Sequence, residues 1–235
     1  QYEYKNITLN GHYQPGGFNG QIALDDPNGN ININGSFATQ QEVPEYNLTA
    51  NIRHLRPHAL GLSSRFQDAD FSVDVTADFH GHSIDDIQGE IGIRNLSIIS
   101  SVAEENFAME HFKITAQNLS EDLQQKQIRI SSPFINGEIT GRYSYRTVPT
   151  SMMKVFQKYI PSLGDKGRTL PETKNNFNFN LNIEQSRLYD GILGIPLSLN
   201  MPASVAGYVN DMENKIQLRA YLPEFVYGED YFESG

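Results

Sequence analysis

Residues 69–79 have the sequence ADFSVDVTADF, in which apolar and polar side chains alternate without a break. Successive side chains of a β-strand point to opposite faces of the sheet, so this segment has one apolar and one polar face. Its apolar row consists of Ala69, Phe71, Val73, Val75, Ala77 and Phe79. The segment therefore predicts a strand with one face buried and the other exposed to solvent.

The same two-residue period returns along most of the chain. Residues 177–184 alternate Phe177, Phe179, Leu181 and Ile183 with asparagine or glutamate, and residues 30–37 place Ile31, Ile33 and Phe37 between polar side chains. Less regular alternation occurs at 21–24, 47–53, 87–94, 111–116, 127–131, 134–146, 203–209 and 215–222. We expect an all-β fold of repeated antiparallel strands.

One segment departs from this period. Residues 150–160 carry Met152, Val155, Phe156, Tyr159 and Ile160 at helical spacing. A short helix is predicted there, with Thr150 or Ser151 as its cap and Pro161 after its end. The polar loop that follows, 161–175, is the only candidate for an internal boundary, and residues 1–235 otherwise form a single β-rich segment.

Turn signals separate the strands. Asp26-Pro27-Asn28-Gly29 predicts a turn before the strand at 30–37. Asn10-Gly11, Asn19-Gly20 and Asn136-Gly137 are further turn candidates, although alternation continues through the last of them.

Composition excludes several classes of function. The formal net charge is −10 and there are no cysteines. An acidic chain without a basic stripe is not expected to bind nucleic acid or to dock on an anionic membrane surface. No apolar run approaches the length of a membrane-spanning helix. Because the chain begins with Gln1 and no apolar leader precedes it, we expect a piece of a longer polypeptide.

No catalytic or metal centre is predicted. His54, His58, His80 and His82 form two distant pairs, and the acidic row from Asp68 to Asp78 lies along one strand face, where residues two apart are about 7 Å apart and cannot close around one ion. Nucleophile-elbow, phosphate-loop and dinucleotide motifs are lacking. We therefore expect a protein that is not an enzyme and has neither metal nor cofactor.

Four stretches, 24–37, 46–62, 79–91 and 137–145, resemble the repeats of the TamB / AsmA-like family, especially its very long members from the Bacteroidota. The resemblance implies a periplasmic segment of an envelope protein whose inner-membrane anchor lies outside this fragment. It implies a long curled sheet, a trough with an apolar lining, that takes part in outer-membrane biogenesis. The implied partners are phospholipid acyl chains and, through other parts of the full-length protein, an outer-membrane β-barrel assembly partner.

The apolar rows must be shielded from water, and the sequence leaves two alternatives for what shields them. Either they line a trough that acyl chains fill, or they pack on one another in a β-sandwich that acts as a surface module binding glycan or protein. In the first case the residues expected to face lipid are Phe71, Val73, Val75, Phe79, Ile31, Ile33, Phe37, Ile139, Phe177, Phe179, Leu181 and Ile183. In the second they form a dry core, and aromatic residues near the C-terminus bind the partner.

Overall fold

The computed structural model describes residues 2–64, 67–100, 106–120, 125–159, 170–184 and 197–233. The fold is all-β, with 63% of residues in strands and one short helix. The strands are β1 (Ile7–Gln14), β2 (Gly17–Asp26), β3 (Gly29–Ala38), β4 (Glu45–Leu55), β5 (Ala69–His80), β6 (Gln88–Ser100), β7 (Phe107–Asn118), β8 (Lys126–Ser131), β9 (Ile135–Arg142), β10 (Asn176–Ile183), β11 (Leu197–Leu199), β12 (Ala203–Asn210), β13 (Lys215–Tyr221), β14 (Glu224–Tyr227) and β15 (Asp230–Glu233), and the helix is α1 (Val148–Tyr159).

Twelve of these strands form one sheet in the order β1-β2-β3-β4-β5-β6-β7-β8-β9-β10-β12-β13. Strands β1 to β6 pair antiparallel with their neighbours, as do β8, β9, β10, β12 and β13, and the sheet is not closed. Strands β11, β14 and β15 form a second, smaller sheet. The predicted all-β fold of antiparallel strands is confirmed. None of the described helices is long and apolar enough to cross a membrane.

The residues group into two compact units. Unit 1 comprises 1–82 and 87–114, and unit 2 comprises 83–86 and 115–235. The division passes through β7. Of the stretch proposed from the sequence as a boundary, 161–175, residues 161–169 lie outside the described part of the chain.

Unit 1 is a meander whose register keeps apolar side chains together. Leu9 of β1 lies opposite Ile22, which lies opposite Ile33. The row continues through Ala50 and Val75. Because every connection in this part of the sheet joins neighbouring strands, the period of two within each strand becomes one apolar face shared by all of them.

Two bulges preserve this face where the sequence period breaks. In β4 the apolar spacing lengthens from Ile52 to Leu55, and in β6 it lengthens from Ile93 to Leu96. The register shifts at both places, and each bulge contains one residue in the left-handed conformation, His54 or Asn95. The extra residue turns the following side chains back to the apolar side.

Asp74 of β5 lies between the two bulges on the polar face. Its carboxylate accepts hydrogen bonds from Asn51 (2.8 Å), Arg53 (2.6 Å) and Asn95 (2.9 Å). These bonds, that from Asn95 foremost, lower the pKa of Asp74 to about 2. One ionised side chain thus joins β4, β5 and β6 at the point where their register changes.

Unit 2 has a conventional core beneath α1. The buried residues that form it are Ile139, Tyr143, Val148, Phe177, Phe179 and Val209. Met152 of α1 packs against this cluster, as do Ile128 and Leu181 of the sheet. The helix therefore supplies the second layer that the apolar face of these strands needs.

Three local predictions were wrong. Helix α1 begins at Val148, so Thr150 and the fully buried Ser151 both lie inside it and neither is its cap. The strand expected at 134–146 ends at Arg142. The Asn-Gly pairs at 10, 19 and 136 lie within strands; the tight turn between β1 and β2 is instead at Pro15-Gly16, where Gly16 has a φ of 74°. The turn at 26–29 is confirmed.

Gly207 of β12 gives a test of core packing. A Cβ at this position would lie 2.6 Å from the Gln217 carbonyl oxygen and 2.6 Å from the ring of Phe179, which is buried. We expect Gly207→Ala to lower the free energy of unfolding by about 2 kcal/mol or more. Gly35→Ala is the control, since its Cβ would meet nothing closer than 3.8 Å. Urea denaturation measures both, and equal stability of the two variants would contradict this packing.

Asp74 gives a test of the bulge region. Its folded pKa is depressed, so its contribution to stability is present above the unfolded value of 3.8 and is lost as the pH falls through about 2. We expect Asp74→Asn to cost about 1 kcal/mol at neutral pH, with allowance for solvent screening on the Arg53 side, and the difference from the wild type to vanish towards pH 2. Urea denaturation across this range measures it. Asp78→Asn, an exposed position on the same strand and face, is the control.

Candidate functional site

The apolar face of unit 1 is the candidate site. We call it the open apolar face, and it is the side of β1–β6 that carries the rows described above. Its aliphatic rows are Ile7-Leu24-Ile31-Ile52-Val73 and Leu9-Ile22-Ile33-Ala50-Val75-Ile93. A third row, Gly11-Gly20-Gly35-Leu48-Ala77-Ile91, runs beside them.

Much of this face is accessible to solvent. The exposed fraction is 70% for Leu9, 58% for Ile7, 47% for Ile22 and 39% for Leu48. Soluble monomers rarely leave large contiguous apolar patches exposed, and such patches mark surfaces that bind something. A sandwich built on this face would have buried these side chains, so the structure favours the accessible lining over the dry core for unit 1.

An aromatic row forms one end of the face. Tyr13, Phe18, Phe37, Tyr46 and Phe79 follow one another across β1–β5. The rings of Phe18 and Phe37 are stacked, with centroids 5.9 Å apart. Phe18 also lies over the glycine row, because a Cβ on Gly20 would be 2.3 Å from its ring. The glycines thus make room for a ring that lies flat on the sheet.

A polar cap forms the other end. The Tyr2 hydroxyl donates to the Asp26 carboxylate (2.5 Å), which also accepts from the backbone amides of Lys5 (3.0 Å) and Asn28 (2.9 Å). These hydrogen bonds, that from Tyr2 foremost, lower the pKa of Asp26, and the bond to Asp26 raises the pKa of Tyr2. Next to the cap, Leu60 is fully buried, in a loop that covers Gly29. Apolar contact is therefore confined to the region between the cap and the aromatic row.

Seven residues predicted from the sequence to face lipid lie on the open apolar face and are partly buried. They are Ile31, Ile33, Phe37, Phe71, Val73, Val75 and Phe79. Alternation was sufficient to assign them because each strand kept its period or was corrected by a bulge.

The other five lie in unit 2 and have a different environment. Ile139, Phe177 and Phe179 are core residues beneath α1, with exposed fractions of 9% or less. Leu181 packs against the same core, and Ile183 is half-buried at the end of β10. The two-residue alternation identified the correct face here as well. It carries no information about whether a helix covers that face.

Sequence reasoning missed β1, and with it the most exposed part of the site. Ile7, Leu9 and Tyr13 alternate with Thr8, Asn10 and His12, which is a strand pattern. The dipeptide Asn10-Gly11, a turn candidate, interrupts this pattern. The signal that could have found β1 is the apolar period running through that dipeptide.

The corresponding face of unit 2 also ends in a polar group. Lys126 is 6% exposed and lies on the apolar side, opposite Gly141. Its ammonium donates to the Asp85 backbone carbonyl and lies 4.8 Å from the ring centroid of Tyr145. Asp85 in turn accepts from the Tyr145 amide (2.9 Å) and the Ser144 hydroxyl (3.1 Å). Burial lowers the pKa of Lys126 and raises that of Tyr145 to about 12.

Ser151 and Lys154 have the three-residue spacing of a serine–lysine pair, an arrangement that some serine hydrolases use on a helix. Here Ser151 is fully buried, and its hydroxyl contacts the carboxylate of Asp211 at 2.7 Å. Asn175 donates to it (2.8 Å), and the Lys154 ammonium contacts Thr173 instead (2.8 Å). No substrate reaches this hydroxyl, so the network attaches α1 to the ends of β10 and β12.

The histidines predicted as two pairs contact different partners. His54 lies 3.5 Å from Asp70, and His82 contacts the Glu42 carbonyl. Within the described ranges, no three His, Cys, Asp or Glu side chains are grouped so as to hold a metal ion.

Comparison with known proteins gave no relatives: no protein-family model matches the chain, and neither a curated protein nor a solved structure is significantly similar to it.

The Ser151 network can be tested by removing its hydroxyl. Ser151→Ala would leave Asp211 and Asn175 with fewer hydrogen bonds in a buried place, and we expect it to lower the free energy of unfolding by about 1–3 kcal/mol. Thr150→Ala, which removes a hydroxyl from the preceding position of α1, is the control. Urea denaturation compares the two, and a Ser151→Ala protein as stable as the control would show that the network does not hold the helix.

Proposed function

We propose that this chain is a non-enzymatic segment of a periplasmic envelope protein and that it holds or conducts lipid acyl chains along the open apolar face. The observation that carries the proposal is a continuous apolar face of Leu, Ile, Val and Phe side chains across β1–β6, on which Ile7, Leu9, Ile22 and Leu48 are exposed. The proposal also rests on the resemblance to the TamB / AsmA-like family, in which such a segment takes part in outer-membrane biogenesis.

The chemistry of the face suits an acyl chain. A hydrocarbon needs no hydrogen-bonding partner, and each methylene group removed from water is worth about 0.8 kcal/mol. Neighbouring strands are about 4.8 Å apart, so the row from Leu9 to Ile93, which crosses six strands, offers a contact about 24 Å long. An extended chain lying along Leu9, Ile22 and Ile33 would contact each side chain in turn.

The boundaries of the face suit a lipid as well. Aromatic side chains such as Tyr13 and Tyr46 have an apolar body and a polar tip, and they are favoured where hydrocarbon meets water. The polar cap at Asp26 closes the opposite end. Since the chain has a net charge of −10, we expect the headgroup to remain in solvent and anionic lipids to gain no advantage over zwitterionic ones.

The first experiment is native mass spectrometry of the purified protein, followed by organic extraction of whatever it releases. Phospholipid bound in near-stoichiometric amount is the expected result. A folded protein that carries no lipid and binds no hydrophobic dye would contradict the proposal.

A pair of variants tests which face of the sheet binds lipid. Leu48→Asp introduces a carboxylate into the open apolar face, whereas Thr49→Asp introduces one on the polar face of the same strand. We expect Leu48→Asp to reduce bound lipid at least several-fold, because a charge beside hydrocarbon must be desolvated. Thr49→Asp should retain wild-type binding. Equal lipid content in the two folded variants would show that lipid binds elsewhere.

A second candidate function is that of a surface module binding glycan. The polar face of unit 1 has a concavity of about 480 Å³ lined by amide and hydroxyl side chains, among them Asn19, Asn34, Asn47, Thr49 and Thr76. Amides and hydroxyls match the donors and acceptors of a sugar. In unit 2, Phe225 and Phe232 are stacked with centroids 4.7 Å apart, and Tyr231 is exposed. Saturable oligosaccharide binding by a lipid-free protein would favour this function.

A further inference from the structure

A concavity of about 690 Å³ opens on the polar face of unit 1, beside the bulge of β4. We call it the bulge pocket. His54 lines it from the end of β4, and Arg56 lines it from the loop that follows. Strands β5 and β6 contribute Asp70, Ser72, Ser97 and Ile99. Its volume lies within the range of small-molecule sites, about 300–1,000 Å³.

His54 has a backbone conformation that other residue types adopt more readily. Its φ is 51°, and every other described residue with a positive φ is a glycine or an asparagine. Glycine and asparagine are the types that enter the left-handed region at least cost. Packing does not explain the histidine either, since its side chain is 80% exposed. The backbone therefore favours asparagine at this position, and the imidazole needs another explanation.

The His54 imidazole and the Arg56 guanidinium converge on one carboxylate oxygen in the bulge pocket. Nδ1 of His54 lies 3.5 Å from Oδ2 of Asp70, and Nε of Arg56 lies 3.4 Å from the same atom. The Arg56 side chain is 56% exposed, whereas that of Asp70 is 19% exposed. Exposed ion pairs contribute only about 0–1 kcal/mol to stability, so these contacts do little to hold the fold. They do fix the three side chains at the wall of the pocket.

Hydroxyl groups and one apolar side chain surround this carboxylate. Ser72 Oγ accepts the His54 backbone amide (3.3 Å), which leaves its own O–H as a donor. Ser97 lies opposite Ser72 in the register of β5 and β6 and carries a second hydroxyl. Ile99 lies opposite Asp70 and is 53% exposed, although it is on the polar face of the sheet. The pocket thus combines hydrogen-bonding groups with an apolar patch.

This combination suits a neutral polyhydroxylated ligand. A carboxylate only accepts hydrogen bonds and a guanidinium only donates them, whereas hydroxyl groups do both. Together they match neighbouring hydroxyl groups of a sugar, each of which donates and accepts, while Ile99 can contact the C–H face of the ring. An anionic ligand is disfavoured, because Asp68 and Asp70 oppose the charge of Arg56 in a chain of net charge −10.

We propose that the bulge pocket binds a short neutral oligosaccharide, whose hydroxyl groups are held by His54, Arg56 and Asp70. The inference goes beyond lipid binding and does not depend on it, because the pocket and the open apolar face are on opposite sides of β5. The site also differs from the concavity that contains Asn19 and Asn34, with which the bulge pocket shares no lining residue.

Saturation-transfer NMR with defined sugars tests the proposal. Maltotriose, cellotriose and chitotriose are the neutral probes, and trigalacturonic acid is the anionic comparison. We expect at least one neutral trisaccharide to bind and trigalacturonic acid not to bind. If none of the three neutral probes binds, or if trigalacturonic acid binds as well as they do, the proposal is overturned.

His54→Asn separates a binding role from a structural one. Asparagine suits the left-handed backbone, so we expect urea denaturation to show a stability equal to or above that of the wild type. Loss of the imidazole should nevertheless weaken the saccharide at least threefold. Asp70→Asn, which replaces an ionised acceptor by an amide, should weaken it at least fivefold. Wild-type affinity in these two folded variants would refute the assignment of the site.

Asp78→Asn is the matched control, since Asp78 lies on the same strand and face and lines only the other concavity. We expect this variant to bind the saccharide as the wild type does. Weaker binding by Asp78→Asn, with Asp70→Asn unchanged, would place the saccharide in the other concavity and contradict the proposal. Lipid content, measured by native mass spectrometry, should be the same in Asp70→Asn and the wild type, so the two binding functions are tested separately.

Discussion

Cross-strand register on one face is the constraint on which the rest of this structure depends. A strand slipped by one residue would send its whole apolar set to the polar side, so each strand must hold its place relative to both neighbours. The meander connections help to fix the register, because a tight turn such as Pro15-Gly16 allows the two strands that it joins little freedom to slip. Where the sequence period breaks, the bulges at His54 and Asn95 restore the register, and Asp74 ties the three strands involved.

Glycine contributes to the same constraint. Gly207 leaves space for the ring of Phe179 in unit 2, and Gly20 leaves space for the ring of Phe18 in unit 1. In both places an aromatic ring from a neighbouring strand or position fills the gap above the glycine, so the sheet surface stays apolar although one residue has no side chain. At these two positions a large ring therefore occupies the space that a glycine leaves open.

The two units differ in what covers their apolar faces. In unit 2, α1 packs on the sheet and is attached through the buried Ser151 network, so the hydrophobic residues there stabilise the fold. In unit 1 the same kind of face remains accessible, and its side chains are available for binding. The two faces share a pattern and both end in a polar group, Asp26 or Lys126, but among the described residues a helix packs only on the face of unit 2.

The sequence by itself determined most strands of the large sheet, their apolar sides and the helix α1, because these follow from the local periods of two and 3.6 residues. It did not determine which apolar side chains are buried: Phe177 and Val75 have the same pattern, and only the position of α1 makes one a core residue and leaves the other on an accessible face. The turn preference of Asn10-Gly11 gave the wrong prediction for β1, because pairing with β2 across the Pro15-Gly16 turn overrides the preference of the dipeptide. Burial depends on which segments meet in space, and that is decided only by the tertiary structure.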